Sequence, residues 1–437
     1  MRLASLDFLL FFFPAVVLIG ICLPKNWRTL WCGAAGFIYC LLQGLSAFLP
    51  MILSVFVVRL LLLHINEASS ARRKESTMIA GFFFLVCMVL LVRFWHGAVP
   101  IAMTLCLMQL VELLLMYYHH PQPMLPFGVY FGYCFGLMRL WAGPVLTVAQ
   151  YEYISENCKC TLTRFGRGVG RFIRGFAKLV LLALPANAIA ETLLQRAEAK
   201  TLSLPDALIG LMIIFFAVRY SLGGMAQMGS GVGTMLGYLY PEPLQTLPAA
   251  PTYRKYWEQH WTSAAQWAKR VFHMYMPSLR RGVRMLAFGV TVGLLFGRGW
   301  NSLLWSLLLS LFLWAEPKLQ QLFGDLGIRF PVALQRAIVV CMMLLSISTL
   351  YPASFGSAVD FGLALVGANG FRLHTEVLYA LKINWLSLLG SAFLLLPIRQ
   401  WLKRCAAHSR ILNWLSVLLA PLSECLLLIL CMGTLLS

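Results

Sequence analysis

The chain reads as an all-α polytopic integral membrane protein. Of its 437 residues, 60% are hydrophobic and only 12% are charged, about half the charged share of a soluble domain. The apolar residues fall in runs close to the roughly 20 residues that a helix needs to cross the hydrocarbon core. The charged residues sit mainly between those runs.

Runs at 7–24, 29–48, 49–64, 78–95, 99–117, 125–145, 172–193, 204–222, 283–297, 300–315, 334–351, 376–398 and 411–436 predict about eleven to thirteen membrane-embedded helices. The short or interrupted runs read as re-entrant or interfacial, which lipid tolerates only where other helices cover the broken backbone. The first run follows Met1-Arg2-Leu3, lacks a small-residue cleavage site and precedes another span. It therefore reads as a retained first helix. The whole chain, 1–437, reads as a single membrane-embedded domain.

The formal net charge is +19, from 35 Lys+Arg against 16 Asp+Glu. In a soluble protein this would suggest nucleic acid. Here the cations lie in loops and span ends: Arg72, Arg73 and Lys74, the stretches Arg164 to Lys178 and Arg254 to Arg284, and Lys403 with Arg404. That distribution matches the positive-inside bias of cytoplasmic loops and an attraction to anionic headgroups. It makes membrane lipids the expected partner and nucleic acid not one. The Arg164–Lys178 and Arg254–Arg284 clusters also suit docking of an acidic partner, such as an acyl carrier protein or the phosphates of coenzyme A.

Most of the 12 cysteines, including Cys87, Cys106, Cys341 and Cys431, lie in apolar runs, where a thiol behaves as a small hydrophobe. Cys158-Lys159-Cys160 has no matching His or Cys pair nearby, so no metal site is expected; it reads as a free thiol pair or a loop disulfide. The sequence carries neither a dinucleotide fingerprint nor a phosphate-cradling glycine loop, and no tightly bound cofactor is expected. No internal repeat stands out, which argues against a transporter built from inverted repeats.

Among the polar residues, Glu112 falls mid-span. A carboxylate at that depth faces an interior or a cavity, so it either lines a tunnel, handles protons or bonds a neighbouring helix. Arg219 lies near a span end; together these two groups permit a transport function. The turn Arg139-Leu140-Trp141-Ala142-Gly143-Pro144 ends a span with helix breakers. Arg167, Arg171, Arg174 and Lys178 fall on roughly one side of a helix. Gly229, Gly233 and Gly237 recur every four residues, a spacing that lets another helix approach closely. The aromatic segment from Tyr256 to Trp267 suits a membrane interface or a re-entrant helix.

In order along the chain, these segments resemble the membrane-bound O-acyltransferase family, in its bacterial polysaccharide- and cell-wall-modifying branch. The matching segments are Arg-x-Trp-Ala-Gly-Pro at 139–144, Phe-Ile-Arg-Gly-Phe-Ala-Lys at 172–178 and Gly-Val-Gly-Thr-Met-Leu-Gly-Tyr-Leu-Tyr-Pro-Glu at 231–242. The Trp-rich segment 256–267 and Gly-Leu-Leu-Phe-Gly-Arg-Gly-Trp at 293–300 complete the set. The best-matching core is about 130–320, and Leu334 to Gly370 reads like the family's later helix and loop.

The resemblance implies transfer of an acyl group, acetyl in this branch, from an acyl-CoA or acyl-carrier-protein thioester to hydroxyls of an exported polysaccharide or cell-envelope glycan. It also implies an extracytoplasmic acyltransferase partner and a multi-pass location in a bacterial inner or plasma membrane. The departures fall on chemical groups. The principal family histidine is Phe296 here, the second histidine position is Trp261, and the acidic positions of the glycine-rich segment are Ser221 and Gln227.

A hydroxyl is a poor nucleophile at neutral pH, and a positioned base is worth about 10²–10⁴-fold. Histidine suits the task; phenylalanine accepts no proton. His260, one residue from the expected position, is the nearest stand-in, although one step along a helix rotates a side chain by about 100°. His64, His96, His119, His120, His374 and His408 lie in loops, at span ends or near a span start and read as solvated or hydrogen-bonded structural groups. The alternative to an active transferase is a catalytically degenerate relative acting as a membrane scaffold or as an acyl-carrier- or lipid-binding subunit.

Overall fold

Helices make up the fold. The computed structural model describes residues 3–120, 122–241, 252–260, 262–276, 280–297, 299–325, 331–352, 354–395 and 410–436, and among them there is no β-strand. The first half holds α1 (Phe13–Cys22), α2 (Lys25–Gln43), α3 (Leu45–Glu67), α4 (Ala71–His96), α5 (Ile101–His119), α6 (Phe127–Phe135), α7 (Leu137–Leu140), α8 (Val148–Glu156), α9 (Leu162–Ala177), α10 (Leu184–Glu198) and α11 (Leu204–Met235). There follow α12 (Tyr253–His260), α13 (Thr262–Lys269), α14 (Arg281–Leu295), α15 (Asn301–Asp325), α16 (Val332–Leu350), α17 (Phe355–Leu365), α18 (Thr375–Ile383), α19 (Trp385–Leu395) and α20 (Arg410–Leu436). Short π-helical segments lie at Phe8–Phe12, Lys178–Ala183 and Arg270–Met274.

Among the described residues, eight helical stretches are long and apolar enough to cross a membrane. A ninth is added if α18 and α19, bent by 72° at their junction, form one broken span. Shorter apolar stretches at Phe8–Cys22 and Phe355–Leu365 accompany them. The protein is thus an all-α polytopic membrane protein. The run expected at 125–145 is not a continuous helix: it breaks between α6 and α7 and turns through Ala142, a left-handed residue at φ 53°. Gly143 and Pro144 keep the chain from resuming the helix.

The helices gather into two compact units. The first comprises Met1–Phe172, Met225–Pro243 and Trp261–Gly297; the second comprises Ile173–Gly224, Leu244–His260 and Arg298–Ser437.

In the first unit α5 is buried along nearly its whole length, as a helix apolar all round requires. Trp141 is fully buried with Phe8 and Tyr39 edge-on to its ring, at centroid distances of 5.2 and 5.6 Å. Its neighbour Arg139 is also buried. It donates to the carbonyls of Gly132, at 2.7 Å, and Tyr133, and its guanidinium lies 4.8 and 4.4 Å from the rings of Tyr133 and Tyr151. The Gln109 amide oxygen, in the orientation that satisfies both of its ends, accepts from Arg139 Nη1 at 2.8 Å. A buried cation is tolerated when it is hydrogen-bonded and faces aromatic rings in this way. The glycine run lets short helix α7 approach closely: a Cβ on Gly229 would lie 2.2 Å from the Met138 carbonyl oxygen. Gly237 lies beyond the end of α11 at φ +93° and turns the chain.

In the second unit α10 packs on α17 and α15 on α16. Glu316 of α15 accepts from the backbone N–H groups of Tyr253, at 2.5 Å, and Arg254, at 3.2 Å, and so caps the start of α12. The Tyr253 hydroxyl reaches Ser346 Oγ on α16 at 3.1 Å. Arg174 meets Glu424 of α20 at 2.5 Å. Cys158 and Cys160 are free thiols, and in the first unit they donate to the carbonyls of Leu236 and Met235.

Candidate functional site

Phe296 is the first residue beyond α14, in extended conformation at φ −115° and ψ 159°. The last carbonyls of a helix have no partner within it, and in α14 side chains supply them. Arg93, near the end of α4, donates from Nη2 to Gly293 O and Phe296 O, both at 2.8 Å, and from Nε to Leu294 O at 3.0 Å. Thr104, in the first turn of α5, donates to Leu295 O at 2.6 Å. Arg93 is 2% exposed, and a cation at a helix C-terminus also complements the macrodipole. Gly297, at φ +85°, then turns the chain in a way a side chain would resist. The half-buried Phe296 ring therefore stands on a fixed backbone but offers no lone pair.

The same face of α5 holds a second segment. Four residues after Thr104, the Met108 carbonyl accepts from Trp267 Nε1 of α13 at 2.8 Å. Four residues further on, Glu112 binds Arg270 through both oxygens: Oε1 to Nε at 2.5 Å and Oε2 to Nη2 at 3.0 Å. Positions 104, 108 and 112 lie on one side of a helix about 12 Å long between first and last. Thr104 and Glu112 thus anchor the segments that the sequence resemblance singled out, one at Phe296 and one just after the aromatic helix. Beside this pair sits Tyr275, stacked on His119 at a ring distance of 5.3 Å. Burial first, and the Glu112 charge second, push its phenol above the ordinary tyrosine range, while Arg270 opposes them.

The remaining sequence positions make other contacts. Ser221, in the second unit, accepts from Asn187 Nδ2 at 3.2 Å, and Asn187 Oδ1 in turn accepts from the Tyr351 hydroxyl at 2.7 Å. Arg219 is half-buried on α11 within electrostatic range of Tyr256. Gln227, half-buried, belongs to the first unit. His260 ends α12, but its side chain, like the whole of Trp261, lies outside the described residues.

Sequence reasoning missed Arg93, Thr104 and Arg270. A threonine in an apolar run and an arginine at a span end have ordinary structural readings. The one available signal is the four-residue spacing of Thr104 and Glu112 around Met108.

Sequence reasoning also passed over a polar cluster in the second unit. His374 Nδ1 lies 2.5 Å from Asp206 Oδ2, and Ser203 Oγ donates to the same oxygen at 2.9 Å. His374 precedes α18 and Asp206 lies in the first turn of α11. No group of three or more His, Cys, Asp or Glu able to hold a metal ion occurs among the described residues.

The fold and this frame define a polytopic all-α membrane protein in which one buried helix fixes a helix end and an aromatic, basic segment. No protein-family profile matches the chain. Curated relatives do: the probable alginate O-acetylase AlgI of Pseudomonas fluorescens is 23% identical over 163 residues, which is 37% of this chain and 32% of the relative. That of Azotobacter vinelandii is 22% identical over 171 residues, 39% of this chain and 34% of the relative. That of Pseudomonas aeruginosa is 22% identical over 163 residues, 37% of this chain and 31% of the relative. The matches span about a third of the length of these relatives. Over about 37% of its length the chain is thus similar to proteins named alginate O-acetylases, and Phe296 stands where the resemblance read from the sequence places a histidine.

Proposed function

We propose that the protein is an O-acyltransferase of a bacterial inner or plasma membrane. It moves an acetyl or similar acyl group from a thioester to hydroxyls of an exported polysaccharide or cell-envelope glycan. Its similarity to proteins named alginate O-acetylases carries this reading. The donor is an acyl-CoA or an acyl carrier protein. The basic helix α9, with Arg164 half-buried and Arg167 exposed, supports docking of such an acidic donor. An extracytoplasmic acyltransferase partner completes the transfer to the glycan.

One observation favours a second reading. The residue on the Arg93-capped helix end is phenylalanine, and a frame kept without its base suits a scaffold or carrier-binding subunit. Transfer from radiolabelled acyl-CoA or acyl carrier protein by the purified chain separates the two. Measurable turnover supports the transferase, and His260→Ala then tests the residue nearest the family position. Carrier binding without turnover, with turnover appearing only in Phe296→His, supports the scaffold.

A further inference from the structure

His374 is held like the histidine of a general-base dyad. Its Nδ1 faces Asp206, whose carboxylate is fully buried and can only accept. The Ser203 hydroxyl, and more weakly the His374 backbone N–H at 3.4 Å, occupy the same carboxylate. A carboxylate on Nδ1 fixes the tautomer and leaves the Nε2 lone pair on the outer edge of the ring.

The segments before α11 and α18, beside the dyad, are tied together. Leu204 N donates to Gly370 O at 3.0 Å, and Asn369 Nδ2 donates to Leu202 O at 3.1 Å. The ring therefore does not depend on a mobile support. One third of the His374 side chain is exposed, and it lines a cavity of about 520 Å³ together with Thr192, Gln195, Arg196, Thr201 and Glu376. Arg196 donates from Nη1 to Glu376 at 2.5 Å. Its Nε is buried and has no acceptor among the described residues. One cavity thus combines an oriented imidazole, a guanidinium and hydroxyl-bearing side chains that match a polyhydroxylated ligand.

We infer that His374, oriented by Asp206, is the general base for the acceptor hydroxyl, and that the surrounding cavity binds a glycan acceptor. This rests on the acyl-transfer reading above. In the step, the acceptor O–H gives its proton to His374 Nε2 and the oxygen attacks the thioester carbonyl carbon. The Arg196 guanidinium, which lines the same cavity, supplies positive charge beside the developing oxyanion. Collapse breaks the C–S bond, and the imidazolium returns the proton to the leaving thiolate, giving ester and free thiol. The chain then has no need of a histidine at 296.

The test is transfer from a labelled acyl thioester to a soluble oligosaccharide by the purified full chain and by His374→Gln, His374→Ala, Asp206→Asn and Phe296→His. The expected result is a kcat lower by about 10²–10⁴-fold in His374→Gln and by up to about 10⁴-fold in Asp206→Asn, which no longer fixes the tautomer. Added imidazole restores part of the activity of His374→Ala, because the cavity admits the free base. A dyad that merely ties two loops lowers the melting temperature of both His374 variants and gives no imidazole rescue; that outcome overturns the assignment. So does an active wild type whose His374→Gln variant turns over within about twofold of it, a result that leaves the acyl-transfer reading standing. A wild type inactive with every thioester while Phe296→His is active overturns the transferase reading itself, and the dyad's role with it.

Discussion

Arg93 donates a hydrogen bond to the carbonyl oxygen of Phe296, 2.8 Å away, from a guanidinium that also holds Gly293 and Leu294. The backbone at the position where the sequence resemblance places a histidine is therefore fixed from α4, whatever side chain stands there. Substituting Arg93 by Ala strands three acceptors away from water and empties a buried site. A loss of roughly 3 kcal/mol is expected, read as a lower midpoint of thermal unfolding in detergent. Thr104→Val, which removes one bond to Leu295 O, costs about 1 kcal/mol. An Arg93→Ala protein as stable as the wild type would show that the cap contributes nothing.

The Glu112–Arg270 pair is a different kind of anchor. Both groups are shielded, with 4% and 16% of their side chains exposed. Removing one partner leaves an uncompensated buried charge, which costs roughly 3–5 kcal/mol. Glu112→Leu and Arg270→Met are each expected to destabilise by that order. The double variant recovers most of it, because replacing a buried pair with apolar groups of similar volume is close to neutral. Additive losses across the double-mutant cycle would mean that the two side chains act independently.

The reach of the sequence differs along the chain. Apolar runs gave the membrane class and most helices, because burial in lipid leaves a composition signal that needs no partner. Phe296, Ser221 and Gln227 read as replaced groups only through the resemblance of the glycine, proline and tryptophan frame around them to a family. Arg93 and Thr104 were not, since their partners are backbone carbonyls about 190 to 200 positions away, and a carbonyl has no sequence signature. Likewise His374 read as a structural group near a span start. Its chemistry comes from Asp206, 168 positions earlier, and only the fold brings the two together.

Two glycines of α11 separate packing from helix propensity. A Cβ at Gly229 would meet the Met138 carbonyl oxygen at 2.2 Å, whereas at Gly223 nothing lies within 4 Å. Gly229→Ala must push backbone away from backbone and is expected to destabilise by roughly 1–3 kcal/mol. Gly223→Ala is expected to stabilise by up to about 1 kcal/mol through helix propensity alone. Thermal unfolding of the two variants side by side checks the sign of each; equal effects would remove the packing explanation.

Phe296→His is a further test of the cap. Because Arg93 and Thr104 hold carbonyls and not the 296 side chain, the substitution leaves the backbone supports in place. The expected cost is roughly 1–2 kcal/mol, the ordinary range for one substitution at a half-buried position. Thermal unfolding beside the Arg93→Ala variant measures it. A loss as large as that of Arg93→Ala would mean that the ring, and not the cap, keeps this helix end folded.

Tyr275 reports on the charge of the Glu112–Arg270 pair from outside the spans. Burial and Glu112 raise its phenol above the usual range and Arg270 lowers it. A phenol whose folded value is raised holds its proton where the unfolded chain, at about pH 10, has begun to lose it. Its contribution to stability is therefore complete below that unfolded value and is lost as pH rises through the folded one. Glu112→Gln removes a raising charge and leaves the Arg270 cation uncompensated, so the Tyr275 midpoint should move down in alkali. Phenolate difference absorbance, with Tyr275→Phe subtracted to isolate the one residue, measures the shift. A midpoint that stays in place or rises in Glu112→Gln would show that the pair's charge does not reach the phenol.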